Sequence, residues 1–427
     1  MGAAEHGETE AQIAVVGAGL TGLAAAGALS QDGFDVILAA PAFDAAAAAA
    51  DTRTSALLPP SVQLLENLDV WQACAPLSAP LLGARLIDDR GGFLRAPEVL
   101  FEAREIGQPN LGANVPNAAL STAFNAKLVG ASRLRWLATT GVSAVEPSDA
   151  AVGLHLAEGS RIRAGLVVAA DGRHSIVRAA AAIPVRTWDY PQAAIASSFC
   201  HTRPHAGITT ELHRRAGPLT TVPLPGLASS LVWVEAPDEA ARLARLSEAG
   251  FKGLLEHRLQ GFLGAIESVG PRALFPLRGL SAAQMVAHRI ALVGEAAHVL
   301  PPIGAQGLNL GLRDVATLSD CVVEARAAAR DIGGPETLRA YAQARAVDVT
   351  SRTALVDLLN RSLLTDFLPA QALRGVGLQL LARSGTLRRL AMRGGANAPG
   401  PLPRLMRAPS AAPIKSPLPR PKPTAGP

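Results

Sequence analysis

A chain of 427 residues, 49% apolar and 18% charged, is long enough for two domains and a large core. It contains no run of 18 apolar residues to span a membrane, and the opening MGAAEHGETE has neither the apolar stretch of a secretory signal nor the arginines of a transit peptide, so a cytoplasmic protein is expected. The formal charge of +5 resides in Arg404, Arg407, Lys415, Arg420 and Lys422 of an acid-free tail, which leaves a neutral body and argues against a general nucleic-acid surface.

In chain order, QIAVVGAGLTG, LAAAGALSQDG and FDVILAA predict a strand, a helix ending at Gly33 and a second strand, a βαβ unit. PAFDAAAAAAD is low-complexity, and DTRTSALLPPSVQLLENLDVW is a loop holding Arg53 followed by a helix. Pro116 and Asn117 fit a helix start, with Ala119, Leu120, Phe124 and Leu128 at helical spacing. Residues 142 to 170 read as a hairpin ribbon returning to a buried strand, LVVAA, that ends in Asp-Gly. Turn-rich strands and a helix from Asp238 to about Leu263 predict a second, sheet-based domain. RIALV then resumes the parallel-sheet style, a long helix follows, and helical pattern runs to about Arg393 before a proline-rich tail. Cys74, Cys200 and Cys321 lie more than a hundred residues apart, without the spacing of a disulfide framework or a zinc site.

Gly17, Gly19 and Gly22 have GxGxxG spacing between a strand and a helix. The first glycine permits a tight turn, the second lets a pyrophosphate approach the backbone, and the third lets helix and strand pack closely. The free N–H groups at the helix start suit anionic oxygens. An acid that would accept ribose hydroxyls at the end of the second strand is missing, since Ala39 and Ala40 stand there; Asp44 is the nearest carboxylate.

Three further stretches follow in order: DTRTSALL (51–58), VVAADGRHSIVR (167–178) and RIALVGEAAHVLPPIGAQGLNLGLRD (289–314). With the glycine turn, they resemble the single-component FAD-dependent aromatic hydroxylases. HTRPHAGITTELHRRAGPLTTVPLP (201–225) is similar to the substrate-domain signature of the ubiquinone-biosynthesis hydroxylases among them, and the resemblance covers about residues 11 to 392. It implies an α/β fold: a Rossmann-like FAD-binding domain in two parts (11–182 and 273–345), an inserted, mainly antiparallel β-sheet substrate domain (183–272), C-terminal helices (346–395) and a disordered basic tail (396–427).

Carried over by position, the resemblance implies that Gly17, Gly19 and Gly22 take the FAD pyrophosphate and that Arg53 reaches toward the phosphate and flavin side. Asp171 would sit under the pyrophosphate, Glu295 would bind the ribityl hydroxyls, and Pro301 to Asn309, with Gly307 and Leu308, would line the pyrimidine edge of the flavin. Backbone N–H groups of GAQGLNLG at a helix start would stabilise negative charge on a reduced flavin. Three positions depart from the family: Glu295 replaces an aspartate, Ala40 replaces the ribose acid, and Ala118 stands where many relatives carry arginine.

The implied activity is hydroxylation of a polyprenylated phenol or quinone precursor of ubiquinone through a flavin C4a-hydroperoxide, with NAD(P)H as electron donor and O2 as oxidant. Three alternatives stay open: a hydroxylase of a small soluble phenol, a flavin-dependent reductase of prenyl chains, and a non-catalytic flavoprotein scaffold in a ubiquinone-biosynthesis complex. No catalytic side chain is singled out. His298 could act as an acid or base, or pack against the nearby helix. Arg173 and Arg178 are expected to contact acidic neighbours or water. His201, His205 and His213 lack a ligand set, because Pro204 opposes helical spacing, and are read as strand surface or substrate lining.

On a helical wheel for 371–393, Leu373, Val376, Leu380, Leu387 and Ala391 share one face, opposite Arg374, Arg388, Arg389 and Arg393, with Arg383 intruding. Two readings remain: a basic amphipathic helix in peripheral contact with the cytoplasmic face of the inner membrane, or a helix packed on the body with solvated arginines.

Overall fold

The computed structural model describes residues 8–90, 96–364, 368–396 and 400–409. It is an α/β fold with two large sheets. The first runs in the order Val286–Ala287, Ile290–Leu292, Arg161–Ala169, Glu8–Val16, Val36–Ala40, Leu134–Ala138. All of these neighbours pair in parallel except the first two. Its central strands are buried on both faces, which is why Ile13–Val16 and Val36–Ala40 are continuous apolar runs rather than alternating ones. Strands Val142–Pro147 and Val152–Leu156 form the expected ribbon, paired antiparallel onto Arg161–Ala169.

Helix Leu20–Gln31 lies on this sheet with Ala24, Ala25, Ala26 and Ala28 fully buried. Small side chains let it pack against both the sheet and the long helix Gln306–Ala327. The short helix Ala45–Ala49 is capped by Asp44, whose side chain accepts from Ala46 N and Ala47 N at 2.9 and 3.0 Å. Asp44 is therefore committed locally and does not reach back toward Ala40.

The second sheet has nine strands and is mainly antiparallel. Its centre is the 17-residue strand Val185–His201, flanked by Ala228–Glu235 and Ala273–Ala282. Helices Pro237–Ala244 and Glu248–Leu259 cover one face, where Trp233, Phe251 and Leu255 are buried; Ser247 caps the second helix and splits what the sequence suggested was one. The expected boundaries need correction here. Gly83–Asp88 and Val99–Glu102, expected within 11–182, extend the substrate sheet, the first by parallel pairing to Ile208–His213 and the second antiparallel to the first, and Ala273–Ala282 belongs to it as well. The substrate sheet thus draws on three chain segments, because an open sheet edge can recruit any extended segment that reaches it.

The C-terminal region departs further from expectation. Helix Pro335–Leu364 runs through the expected boundary at 345/346 without a break. The segment read as one amphipathic helix is two, Leu368–Arg383 and Gly385–Ala396, interrupted at Ser384. The wheel therefore joined residues of separate helices. Leu373 and Arg374 lie outside the described side chains. The tail is also corrected in part: Leu405 and Met406 are buried in the main core, Asn67 Nδ2 donates to Leu405 O at 2.8 Å and Arg404 pairs with Asp32 at 2.7 Å. Residues 410–427 lie outside the described residues.

Candidate functional site

The glycine turn shows why two of its three glycines are needed. Gly17 has φ of +102°, and a Cβ there would stand 2.5 Å from Ala170 O; a Cβ on Gly22 would stand 2.0 Å from Gly17 O. These two glycines hold strand, turn and helix in contact. Gly19 is different, since a Cβ on it would meet nothing within 4 Å. The turn is tight on its protein side and open on the other, and helix Leu20–Gln31 begins at Gly19 with no side-chain cap, leaving its first N–H groups to the open side.

The other elements converge on this turn. A Cβ on Gly294 or Gly311 would stand 2.9 or 2.8 Å from Thr21 Oγ1, so the first helix, the turn after strand Ile290–Leu292 and the long helix meet at Thr21. Asp171 Oδ2 accepts from Ile176 N and Val177 N at 2.8 and 3.2 Å, while its Oδ1 is buried with no partner in the protein. Such an orphaned acceptor calls for a donor from outside the chain. Arg178, expected against acids or water, is buried instead. It donates to Ala296 O at 2.8 Å and to Arg173 O at 2.9 Å, binding the Asp-Gly segment to the turn that carries Glu295. Burial pulls its guanidinium below the ordinary value, against the favourable charge of Asp171.

In the loop 301–309, Pro301 and Ile303 are buried, and Gly304 and Gly307 are exposed, with open space above Gly307. Ala305, with φ of +55°, precedes helix Gln306–Ala327, whose N-terminus has no side-chain cap. A second set of free N–H groups is therefore presented beside small residues. Leu308 packs against the main core. The Asn309 side chain is used within the protein: Oδ1 accepts from Leu58 N at 2.9 Å and Nδ2 donates to Ala56 O at 2.9 Å. Asn309 fastens the loop to the segment that follows Arg53, so its side chain is a positioning element.

Arg53 forms a bidentate pair with Asp51, both bonds 2.8 Å, and its guanidinium stands 5.5 Å from the Phe275 ring of the substrate sheet. Asp51 chiefly, with a contribution from Glu295, raises the Arg53 pKa above its ordinary value. Glu295 is exposed.

Beneath the loop lies a buried ionic network that the sequence reading missed. Asp314 Oδ2 accepts from Gly294 N at 3.0 Å and bonds His298 Nε2 at 2.7 Å; its Oδ1 accepts from Arg345 Nε at 2.8 Å. Asp348 then accepts from Arg345, Arg313 and Arg352 at 2.7, 2.8 and 2.7 Å, and Arg352 reaches Gln306 in the first turn of the long helix. Burial would raise both carboxyls, but the cations around them win: Asp314 lies below the usual range and Asp348 falls to about 2. His298 is buried against Asp314, which favours its packing reading over acid–base work. The only sequence signal for the network was Arg345, Asp348 and Arg352 at helical i, i+3, i+7 spacing, a pattern that usually marks a solvated face.

The three histidines are also structural. His201 is fully buried, with Nε2 3.0 Å from Ser229 Oγ and Nδ1 2.8 Å from Arg203 O, and burial lowers its pKa. His205 bonds Leu224 O and His213 pairs with Glu211. Among the described residues no group of three or more His, Cys, Asp or Glu is placed to hold a metal ion.

A parallel sheet, an open glycine turn, an orphaned carboxylate oxygen and two uncapped helix N-termini define a flavin-dinucleotide-binding protein with an added substrate sheet. The comparisons agree. The FAD binding domain family matches residues 10–353. The chain is 37% identical to the ubiquinone hydroxylase UbiL of Rhodospirillum rubrum, over 93% of this chain and 92% of that one. It is 32% identical to the 3-demethoxyubiquinol 3-hydroxylase of Escherichia coli, over 90% and 97%. The solved structure of p-nitrophenol 4-monooxygenase PnpA from Pseudomonas putida shares the fold, with a TM-score of 0.73 at 17% identity over 92% and 99% of the two chains. The chain belongs to the ubiquinone-biosynthesis hydroxylase family of FAD-dependent monooxygenases, and its cofactor is FAD.

Proposed function

We propose that this enzyme hydroxylates the aromatic ring of a polyprenylated ubiquinone precursor. Similarity along almost the whole chain to the Rhodospirillum rubrum ubiquinone hydroxylase carries this reading. Bound FAD would take electrons from NAD(P)H or another reductant and deliver one atom of O2 to the ring.

The chain's own residues bind and orient. Gly17, Gly19 and Gly22 would leave the pyrophosphate against the open side of the turn, where the N-terminus of helix Leu20–Gln31 meets negative charge. Asp171 Oδ1 would accept a donor from the bound dinucleotide or its water, and Glu295 would accept ribityl hydroxyls. Pro301, Gly307, Leu308 and the backbone at Asn309 would border the flavin's pyrimidine edge, with the start of helix Gln306–Ala327 stabilising negative charge there. Arg53, held by Asp51 and seated over Phe275, would close the side between the nucleotide fold and the substrate sheet. The support for these roles is the open space above Gly19 and Gly307 and the unpartnered oxygen of Asp171.

A deletion strain should accumulate an under-hydroxylated polyprenyl intermediate, read by mass analysis of its quinones; a normal ubiquinone pool without that intermediate overturns the proposal. Substrate-dependent NAD(P)H oxidation with incorporation of labelled O2 would separate catalysis from a scaffold role in a biosynthetic complex.

A further inference from the structure

A surface helix ordinarily turns charged or polar residues to water. From Gln343 to Arg361 the solvent-facing residues are mostly Ala, Val, Leu, Thr and Ser, ending in one arginine; of the carboxylates of this stretch, Asp348 is buried and Asp357, partly exposed, is taken up by Tyr190 and Arg361. Val347, Leu355 and Leu358 are 64%, 55% and 66% exposed, and Leu359 is exposed beside them. The positions 355, 358 and 359 share one helix face.

The next two helices continue the pattern. Val376 and Leu380 are exposed on one, and Leu387 and Leu390 on the other. These helices pack against each other and against the edge of the substrate sheet, where Arg388 pairs with Glu105. Arg383, Arg389 and Arg393 are exposed around the leucines. From Phe367 to the end, the sequence contains no Asp or Glu. An aromatic and cationic group borders the patch on the sheet side: Tyr190 OH bonds Asp357 at 2.6 Å, Trp188 Nε1 bonds Tyr190 OH, and Arg361 stands over the Tyr190 ring. Exposed leucines this numerous are not tolerated on a surface without a use.

We propose that the outward faces of these three helices form a docking surface for an anionic lipid bilayer, with leucines entering the acyl boundary and arginines meeting headgroup phosphates. Charge decides between the candidate occupants. A second copy paired by two-fold symmetry would set the same arginines of both chains across one apolar seam, and among the described residues the carboxylates there, Asp357 and Glu105, already have partners. An anionic bilayer satisfies both components at once. Among the described residues no helix is long and apolar enough to cross a membrane, so the contact is interfacial. The wheel reading anticipated an interfacial element in 371–393; the surface is larger, and half of its exposed leucines, Leu355, Leu358 and Leu359, lie on the preceding helix.

The surface rests on the hydroxylase reading only in that a prenylated substrate gives it a use, and its test needs neither substrate nor reductant. The full-length FAD-loaded protein is floated with vesicles of phosphatidylcholine alone and of phosphatidylcholine with phosphatidylglycerol. It should rise with the anionic vesicles. The double variant Leu358→Ser/Leu390→Ser should partition at least about tenfold less, and Arg383→Gln/Arg389→Gln/Arg393→Gln should lose the preference for anionic lipid. Both should keep their FAD absorbance, and Leu227→Ser, an exposed leucine elsewhere, should float like wild type. Wild-type protein that stays at the bottom with anionic vesicles overturns the proposal. So does a wild-type dimer in sedimentation that the leucine variant converts to monomer. If flotation succeeds while hydroxylation fails, the function above falls and the surface stands.

Discussion

At one end of the proposed FAD cleft, the turn at Gly294 and the start of helix Gln306–Ala327 are anchored by Asp314, Arg345, Asp348, Arg313 and Arg352, all buried. At the other end, strand Val36–Ala40 stops in two alanines, the Ala40 carbonyl accepts from Thr139 N at 3.0 Å, and the nearest carboxylate, Asp44, is occupied as a helix cap. The protein immobilises the end where the flavin ring would react and leaves the adenosine end to backbone and shape. This matches what catalysis requires, since misplacement at the reacting centre costs rate while a looser adenosine end costs only affinity.

The largest test breaks the anchored end. Asp348→Asn removes the negative charge that three buried arginines share and should destabilise the protein by about 3–5 kcal/mol at pH 7, measured by urea unfolding. The sign with pH follows from a folded pKa of about 2 against roughly 3.9 for an unfolded aspartate. The wild-type contribution is present above about pH 4 and is lost as pH falls toward 2, so the gap between wild type and variant should narrow over that window. A gap independent of acid would show that the Asp348 charge is not what holds the network.

Repairing the weak end should have the next largest effect. Ala40→Asp restores a ribose acceptor and should tighten FAD binding by about 1.5–3 kcal/mol, the range for a hydrogen bond to a charged group; titration of apoprotein with FAD reads it directly. Unchanged affinity would mean that the ribose is already satisfied elsewhere. A smaller change is expected at Ala305, whose left-handed backbone costs an alanine about 1–2 kcal/mol. Glycine relieves that but adds about 0.4–1 kcal/mol of unfolded-chain entropy, so Ala305→Gly should stabilise by no more than about 1.5 kcal/mol in thermal unfolding. Smallest of all, Glu295→Asp should preserve or slightly tighten FAD affinity; a large loss of flavin would show that the turn was built around the longer acid.

The difference between the ends also explains what could be read from sequence. Gly17 and Gly22 were legible because backbone geometry demands glycine there, and Gly19 because it stands between them at the spacing of a phosphate turn. Arg345, Asp348 and Arg352 were not, because burial decides whether a helical charge run is a solvated face or a core network, and burial depends on the helix packed against it. The long parallel strands were visible as apolar runs. The membership of Gly83–Asp88 and Val99–Glu102 in the substrate sheet was not, since pairing between distant segments leaves no local pattern. The wheel for 371–393 failed for a local reason: the break at Ser384 resets the rotational phase.

Leu405 and Met406 make residues 346–402 a closed excursion, secured to the nucleotide-binding body at both ends. A bilayer holding the exposed leucines would thus have two fixed mooring points on the catalytic body and could not let it swing as on a leash. Cutting the chain before residue 400 would remove the second chain anchor, leave the helices to their packing on the sheet edge, and uncover an apolar socket beside Asn67.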